Sequence, residues 1–90
     1  MTVKAYVVFK VSSGSERDLC RKIAEFDEVI EADIIYGEYD VITKVRADDL
    51  QHLEEFLTEK VRSIPSVVLT STMIVAREYR GKNNRGKRPK

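Results

Sequence analysis

The stretch VIEADIIYGEYDVITKVRA, residues 29–47, decides the fold. From Val29 to Tyr36 the set Ile30, Ala32, Ile34 and Tyr36 alternates with Glu31 and Asp33, the two-residue period of a strand with one buried face. Gly37 and Glu38 interrupt the alternation. It resumes from Tyr39 to Ala47, where Tyr39, Val41, Thr43 and Val45 alternate with Asp40, Ile42, Lys44 and Arg46. Two such runs either side of a glycine predict a tight antiparallel hairpin.

The flanks complete the pattern. Upstream, the odd positions from Val3 to Val11 are apolar, with Lys4 and Lys10 on the other face, and predict a first strand. Ser13, Gly14, Ser15 and Glu16 fit a capping box that opens a helix. Leu19, Ile23 and Phe26, flanked by Cys20 and Ala24, form its buried stripe. Downstream, Asp48, Asp49 and Gln51 give a second capping signature. Leu50, Leu53, Leu57, Val61 and Ile64 then recur at helical spacing until Pro65 ends the longest element. Val67 to Ala76 is rich in β-branched residues and predicts the last strand. The order β-α-β-β-α-β is that of a ferredoxin-like α+β fold, with right-handed crossovers and an antiparallel sheet in the order 4-1-3-2.

In this arrangement both helices cover one face of the sheet, yet the strands carry apolar groups on both. Tyr6 and Val8 oppose Val7 and Phe9, and Val68 and Ile74 oppose Leu69 and Val75. A chain of this size buries only about 60 to 65% of its unfolded surface. The expected cover is therefore a second subunit whose sheet packs face to face about 10 Å away, a dimeric α/β-barrel.

Composition bounds the function. Hydrophobic residues make up 42% and charged residues 34% of the 90, the balance of one globular domain. The longest uncharged run, Ser63 to Ala76, is shorter than a membrane span, and no secretory leader is recognisable, so a cytoplasmic protein is expected. Cys20 is the single cysteine and can form neither an internal disulfide nor a thiolate zinc site. The net charge of +1 conceals an asymmetry: Arg77 to Lys90 holds seven of the 16 basic residues and one acid, a net +6, against −5 for residues 1–76. A 1–76 domain followed by a basic, mobile 77–90 tail is the expected organisation, and any contact with a polyanion belongs to the tail.

The pieces "VIEA" (29–32), "YGEYD" (36–40), "VITKV" (41–45), "DLQHLEEF" (49–56), "IPSV" (64–67) and "TSTMIV" (70–75) occur in an order that resembles the ligand-sensing half of the Lrp/AsnC transcription regulators, the domain named for regulation of amino-acid metabolism (RAM). Regulators of that family carry a helix-turn-helix domain ahead of the sensor. Here the first strand begins near residue 3, so the resemblance is to stand-alone members. It implies dimers of facing sheets that associate into rings of four or five, octamers or decamers. It further implies an amino-acid effector held between neighbouring dimers; for a sensor of this kind the expected downstream partner is a regulator or another protein, and no cofactor is expected.

An α-amino acid needs an acid for its ammonium, and backbone amides and hydroxyls for its carboxylate. The hairpin offers these: Gly37 admits close approach to bare amides, Glu38 or Asp40 suits the ammonium, and Tyr36 and Tyr39 supply walls. The same residues also suit an ordinary solvated turn. Thr70, Ser71 and Thr72 place three hydroxyls in succession, with Thr70 and Thr72 on one face and Ser71 on the other, and threonine favours strands in any case. The resemblance favours the site and puts Thr70, Thr72 and the hairpin together in it.

His52 is a lone helical histidine with no assigned role, Cys20 reads as a small core residue, and Glu54, Glu55 and Glu59 are read as surface partners of Lys60 and Arg62. No nucleophile–base pair, metal cluster or phosphate loop is recognisable, which favours a non-catalytic sensor. The alternatives are a small ferredoxin-like enzyme, since related paired sheets house catalysts, or a nucleic-acid accessory factor acting through the basic tail.

Overall fold

The computed structural model describes residues 2–84. Strand β1 (Val3–Val11) leads into helix α1 (Glu16–Ile23), then β2 (Val29–Ile34), β3 (Val41–Ala47), helix α2 (Leu50–Glu55), a π-helical continuation (Phe56–Val61) and β4 (Val67–Ile74). The four strands form one antiparallel sheet in the order β2-β3-β1-β4, the expected ferredoxin-like order read from the other edge.

Cross-strand partners share a face, so the register sorts every strand residue. One face collects Ala5, Val7 and Phe9 with their β3 partners Val45, Thr43 and Val41, all buried, together with the buried Ala47 opposite Val3 and the buried Val11 opposite Val67 of β4. Leu19 and Ile23 of α1, Leu53, Phe56 and Val61 of the second helix, and Ile64 beyond it close over them into a single core. The buried polar side chain on this face, the Thr43 hydroxyl, donates to the Val7 carbonyl at 3.0 Å, which offsets the cost of taking it out of water.

Four local expectations need correction. The first helix begins without a capping box: Ser15 sits at the N-cap with φ −97° and ψ 3°, and its hydroxyl caps nothing. A turn closes there instead, with the Ser15 amide donating to the Ser12 carbonyl at 2.9 Å and Gly14 at φ +86°, and this holds Ser15 outside the extended backbone a capping hydroxyl needs. The second helix is capped as expected, Asp49 accepting from the His52 amide at 2.8 Å, but it is not α-helical throughout. Its second half widens to i→i+5 bonding, as in the Arg62 amide to Leu57 carbonyl bond, and Phe56 and Val61, five apart, are both buried while Leu50 is exposed. The wider turn also carries Lys60 to Glu28, at 2.9 Å, and over the Phe26 ring, in place of the expected pairing with helix-surface acids.

The strands near the hairpin are also shorter than their composition suggests, β2 ending at Ile34 and β3 starting at Val41. A bulge between Val29 and Glu31 leaves Ile30 out of the alternation and exposed, so Val29, Ala32 and Ile34 are the residues paired on the helix side. At the other end β4 stops at Ile74, and Val75 leaves the strand with its amide on the Lys4 carbonyl at 2.9 Å.

Candidate functional site

The hairpin and the start of β4 meet at the same end of the sheet, on opposite sides of β1. The Ile35 amide donates to the Asp40 carbonyl at 2.9 Å and closes the loop, within which Gly37 adopts φ +147°, open to glycine and strained for other residues. The Asp40 amide donates to the Phe9 carbonyl at 2.8 Å, and Asp40 Oδ2 accepts from the Val11 amide at 3.0 Å. Asp40 therefore continues the β3–β1 ladder past the last paired residues, Val41 and Phe9, using its side chain where the backbone has turned away. Its other carboxylate oxygen has no hydrogen bond among the described residues.

On the far side of β1, Thr70 pairs with Phe9 and Thr72 with Val7, which puts both hydroxyls on the helix side, exposed, while Ser71 pairs with Val8 and faces the other way. Two strand spacings separate the base of the hairpin from Thr70, about 10 Å. Of the eight expected site residues, the fold thus brings Asp40 and Thr70 to one end, with Thr72 one pair further in. Tyr36 is fully exposed. Gly37 and Glu38 are exposed, and Tyr39 is half-buried beside Asp40. Within one chain these groups form an open ledge bearing a carboxylate and two hydroxyls.

The sheet face away from the helices is uncovered. Val8 and Ile42 pair across its middle, Leu69 and Met73 flank them on β4, and Tyr6 lies between Lys44 and Met73. Leu69 and Met73 are each half exposed. Towards the Lys4 end the face turns basic, with Lys4 opposite Arg46 and Lys44 over the Tyr6 ring. Residues 75–81 border this end, and Glu78 reaches back to Lys4 at 3.1 Å and Lys44 at 3.0 Å. The hydrogen bonds from Lys44 and then Lys4 hold the Glu78 carboxyl below its ordinary range. Composition alone did not single out Glu78, although it is the single acid among the seven bases of 77–90. Arg85 to Lys90, the rest of the expected tail, lie outside the described residues.

Elsewhere the chemistry is sparse. His52 Nδ1 lies 2.7 Å from Asp49 Oδ1, an arrangement that resembles a catalytic dyad, but the same oxygen caps the helix and both side chains are more than half exposed. Burial, and after it the charge of Asp33, pushes the Cys20 thiol up, away from the thiolate that reactivity needs. Among the described residues no cluster of His, Cys, Asp and Glu is arranged to hold a metal ion, and no helix is long and apolar enough to cross a membrane.

The chain is thus a ferredoxin-like βαββαβ domain with one bare sheet face and a polar hairpin at the end of the sheet. The chain belongs to the Lrp/AsnC ligand binding domain family, whose model matches residues 4–84. It is 32% identical over 76 residues to the HTH-type transcriptional regulator FL11 of Pyrococcus horikoshii, covering 84% of this chain and 50% of that protein. It thus spans about half the length of the curated relatives it matches. The solved structure of hypothetical protein PHS023 from Pyrococcus horikoshii is 43% identical, with a TM-score of 0.80, covering 86% of this chain and 93% of that one. The same fold recurs, at 16% identity and a TM-score of 0.79, in the complex of transcriptional regulator NMB0573 with L-Met from Neisseria meningitidis, covering 88% of this chain and 53% of that one.

Proposed function

We propose that this chain is a non-catalytic sensor that binds an amino acid or a related metabolite where copies of the domain meet, and passes that state to a transcription regulator or another partner protein. The observation that carries the reading is the match of residues 4–84 to a ligand-binding domain whose relatives are named as transcriptional regulators. A neighbour of the same fold having been solved with L-Met adds to it.

The geometry suits that role in two ways. The bare face, where Tyr6, Leu69 and Met73 stand exposed around the buried Val8 and half-buried Ile42, is the surface on which a homodimer would form, since burying exposed apolar groups drives association. The ledge made by Tyr36, Gly37, Glu38, Tyr39, Asp40, Thr70, Ser71 and Thr72 offers a carboxylate oxygen, backbone groups and hydroxyls but no enclosure. Its missing walls are assigned to neighbouring dimers, with the ligand's ammonium at Asp40 and its carboxylate at the amides beside Gly37. Ser71, on the opposite face, would take part only through a facing subunit.

A thermal-shift screen of the full chain over the twenty amino acids tests the reading. Saturation at 100 times Kd stabilises the folded state by about 2.7 kcal/mol. A reproducible upward shift with one or a few amino acids is expected; a flat screen refutes the amino-acid effector.

A further inference from the structure

The helix layer carries a concave surface of its own. Between α1 and the end of the π-helical turn lies a groove of about 530 Å³, roomy enough for several side chains, lined by Phe26 and Ile64 with Ser63, Arg21, Lys22 and Glu25. It sits on the side of the sheet that the helices cover, so a face-to-face dimer leaves it open. Its charge runs against the rest of the fold: residues 1–76 carry a net −5, yet two cations and one acid line the groove. Arg21 reaches only Asp18, at 3.9 Å with both side chains more than three-quarters exposed, a pair that contributes little in water. Lys22 takes part in none of the ion pairs among the described residues.

The start of the second helix is the complement of this groove. Leu50 follows the Asp49 cap and belongs by spacing to the apolar stripe, but it stands 54% exposed while Phe56 and Val61 take the core. Glu54, four residues on, shares its flank of the helix, and Asp48 and Asp49 precede it, so an exposed leucine is bordered by acids. Asp48 and Glu54 take part in none of the ion pairs among the described residues. An apolar centre inside a charged rim is the anatomy of a protein interface, and opposite charges on two such rims select the partner. Here one chain carries both halves, and Leu50 does not line its own groove, so the halves meet between copies.

We propose that the groove receives Leu50 and the acidic first turn of α2 from a second copy, and that this contact joins one face-to-face dimer to the next. The proposal deepens the reading above, in which neighbouring dimers supply the missing walls of the ledge, and it rests on the dimer of that reading. Thr70 and Thr72 are exposed on the helix side of the sheet, so a copy docked on the helix layer approaches from the side on which the ledge is open. Because every chain carries one groove and one Leu50, each can give and receive a contact, and assembly continues until the contacts close on themselves.

Light scattering of the full chain after gel filtration in low-salt buffer tests the proposal. The wild type should have the mass of at least two dimers. Leu50→Glu, which removes the apolar centre of the acidic turn, and Arg21→Glu/Lys22→Glu, which reverses the rim of the groove, should each fall to the mass of one dimer with unchanged circular dichroism. An equimolar mixture of the two should regain a mass above one dimer, because the intact groove of the first accepts the intact Leu50 of the second. If the glutamates on α1 impair folding, Arg21→Gln/Lys22→Gln takes their place. A wild type no heavier than one dimer, a variant that keeps the wild-type mass, or a mixture that stays at one dimer overturns the contact. Amino-acid binding by a wild type that is only dimeric overturns it and leaves the sensor standing; a flat amino-acid screen of a wild type that assembles as expected does the reverse.

Discussion

Asp40 has two duties that one substitution cannot separate and a pair of substitutions can. Its Oδ2 accepts from the half-buried Val11 amide at 3.0 Å, and the other oxygen is the group assigned to a ligand's ammonium. A hydrogen bond to a charged group contributes about 1.5 to 3 kcal/mol, and an amide left without a partner costs a similar amount. Asp40→Ala removes the acceptor and should lower unfolding free energy by about 2 kcal/mol, near the low end because Asp40 is only partly buried. Asp40→Asn keeps an oxygen within reach of Val11 but loses the charge, and should cost about 1 kcal/mol or less, the worth of a neutral hydrogen bond. Urea unfolding at one fixed protein concentration measures both, since association makes stability concentration-dependent. Amino-acid affinity should separate differently: Asn and Ala should both weaken it by about tenfold or more, because each removes the charge opposite the ammonium. Equal stability of wild type and Asp40→Ala would show that the Val11 bond contributes nothing. Wild-type affinity in Asp40→Asn would remove the carboxylate from the ligand site while leaving its structural role intact.

Other outcomes follow from the same structure. Light scattering should give a mass that is an even multiple of the 10.4 kDa chain, and Met73→Lys, at a half-exposed position on the bare face, should shift the population towards monomer; a stable wild-type monomer at micromolar concentration would sink the face-to-face dimer. Phe56→Ala should lower stability by about 3 to 5 kcal/mol, since the ring is buried and packs edge-on against Phe26 at 5.8 Å. The hydrogen bond from Asp49, and then its charge, raise the His52 pKa above its ordinary 6.5. The stabilisation from that pair is therefore fully present below pH 6.5 and lost as pH rises through the folded-state value; a His52 titration by NMR that is unmoved by Asp49→Ala would refute the pairing. If residues 77–90 contact nucleic acid, fluorescence anisotropy with a labelled duplex should show affinity falling with salt at a log–log slope near −0.9 per phosphate neutralised, and no binding at low salt would exclude the contact.

What the sequence disclosed, and what it withheld, divides along one physical line. The alternation of Val3 to Val11 and of Val41 to Ala47 is readable because each strand meets the core with one face, so burial imposes its period directly on the residues. The Asp49 cap is readable for a similar reason, a side chain bonding an amide three residues away. Where a residue's position depends on a distant segment, local pattern fails. Ile30 has the phase of an inward residue and is turned out by a bulge set by pairing with β3, and the stripe through Leu50 and Leu57 omits Phe56 because the π register answers to the core and to Glu28. The candidate site belongs to this second kind. Residues 36–40 and 70–72 are 30 positions apart, and only the insertion of β1 between β3 and β4 puts Asp40 and Thr70 on either side of Phe9. Asp40 is suited to a ligand because it is held there by Val11, a partner no spacing rule links to it. Were an ammonium to bind there as proposed, the carboxylate would already be positioned by folding, and part of the ordering entropy that binding otherwise costs would have been met.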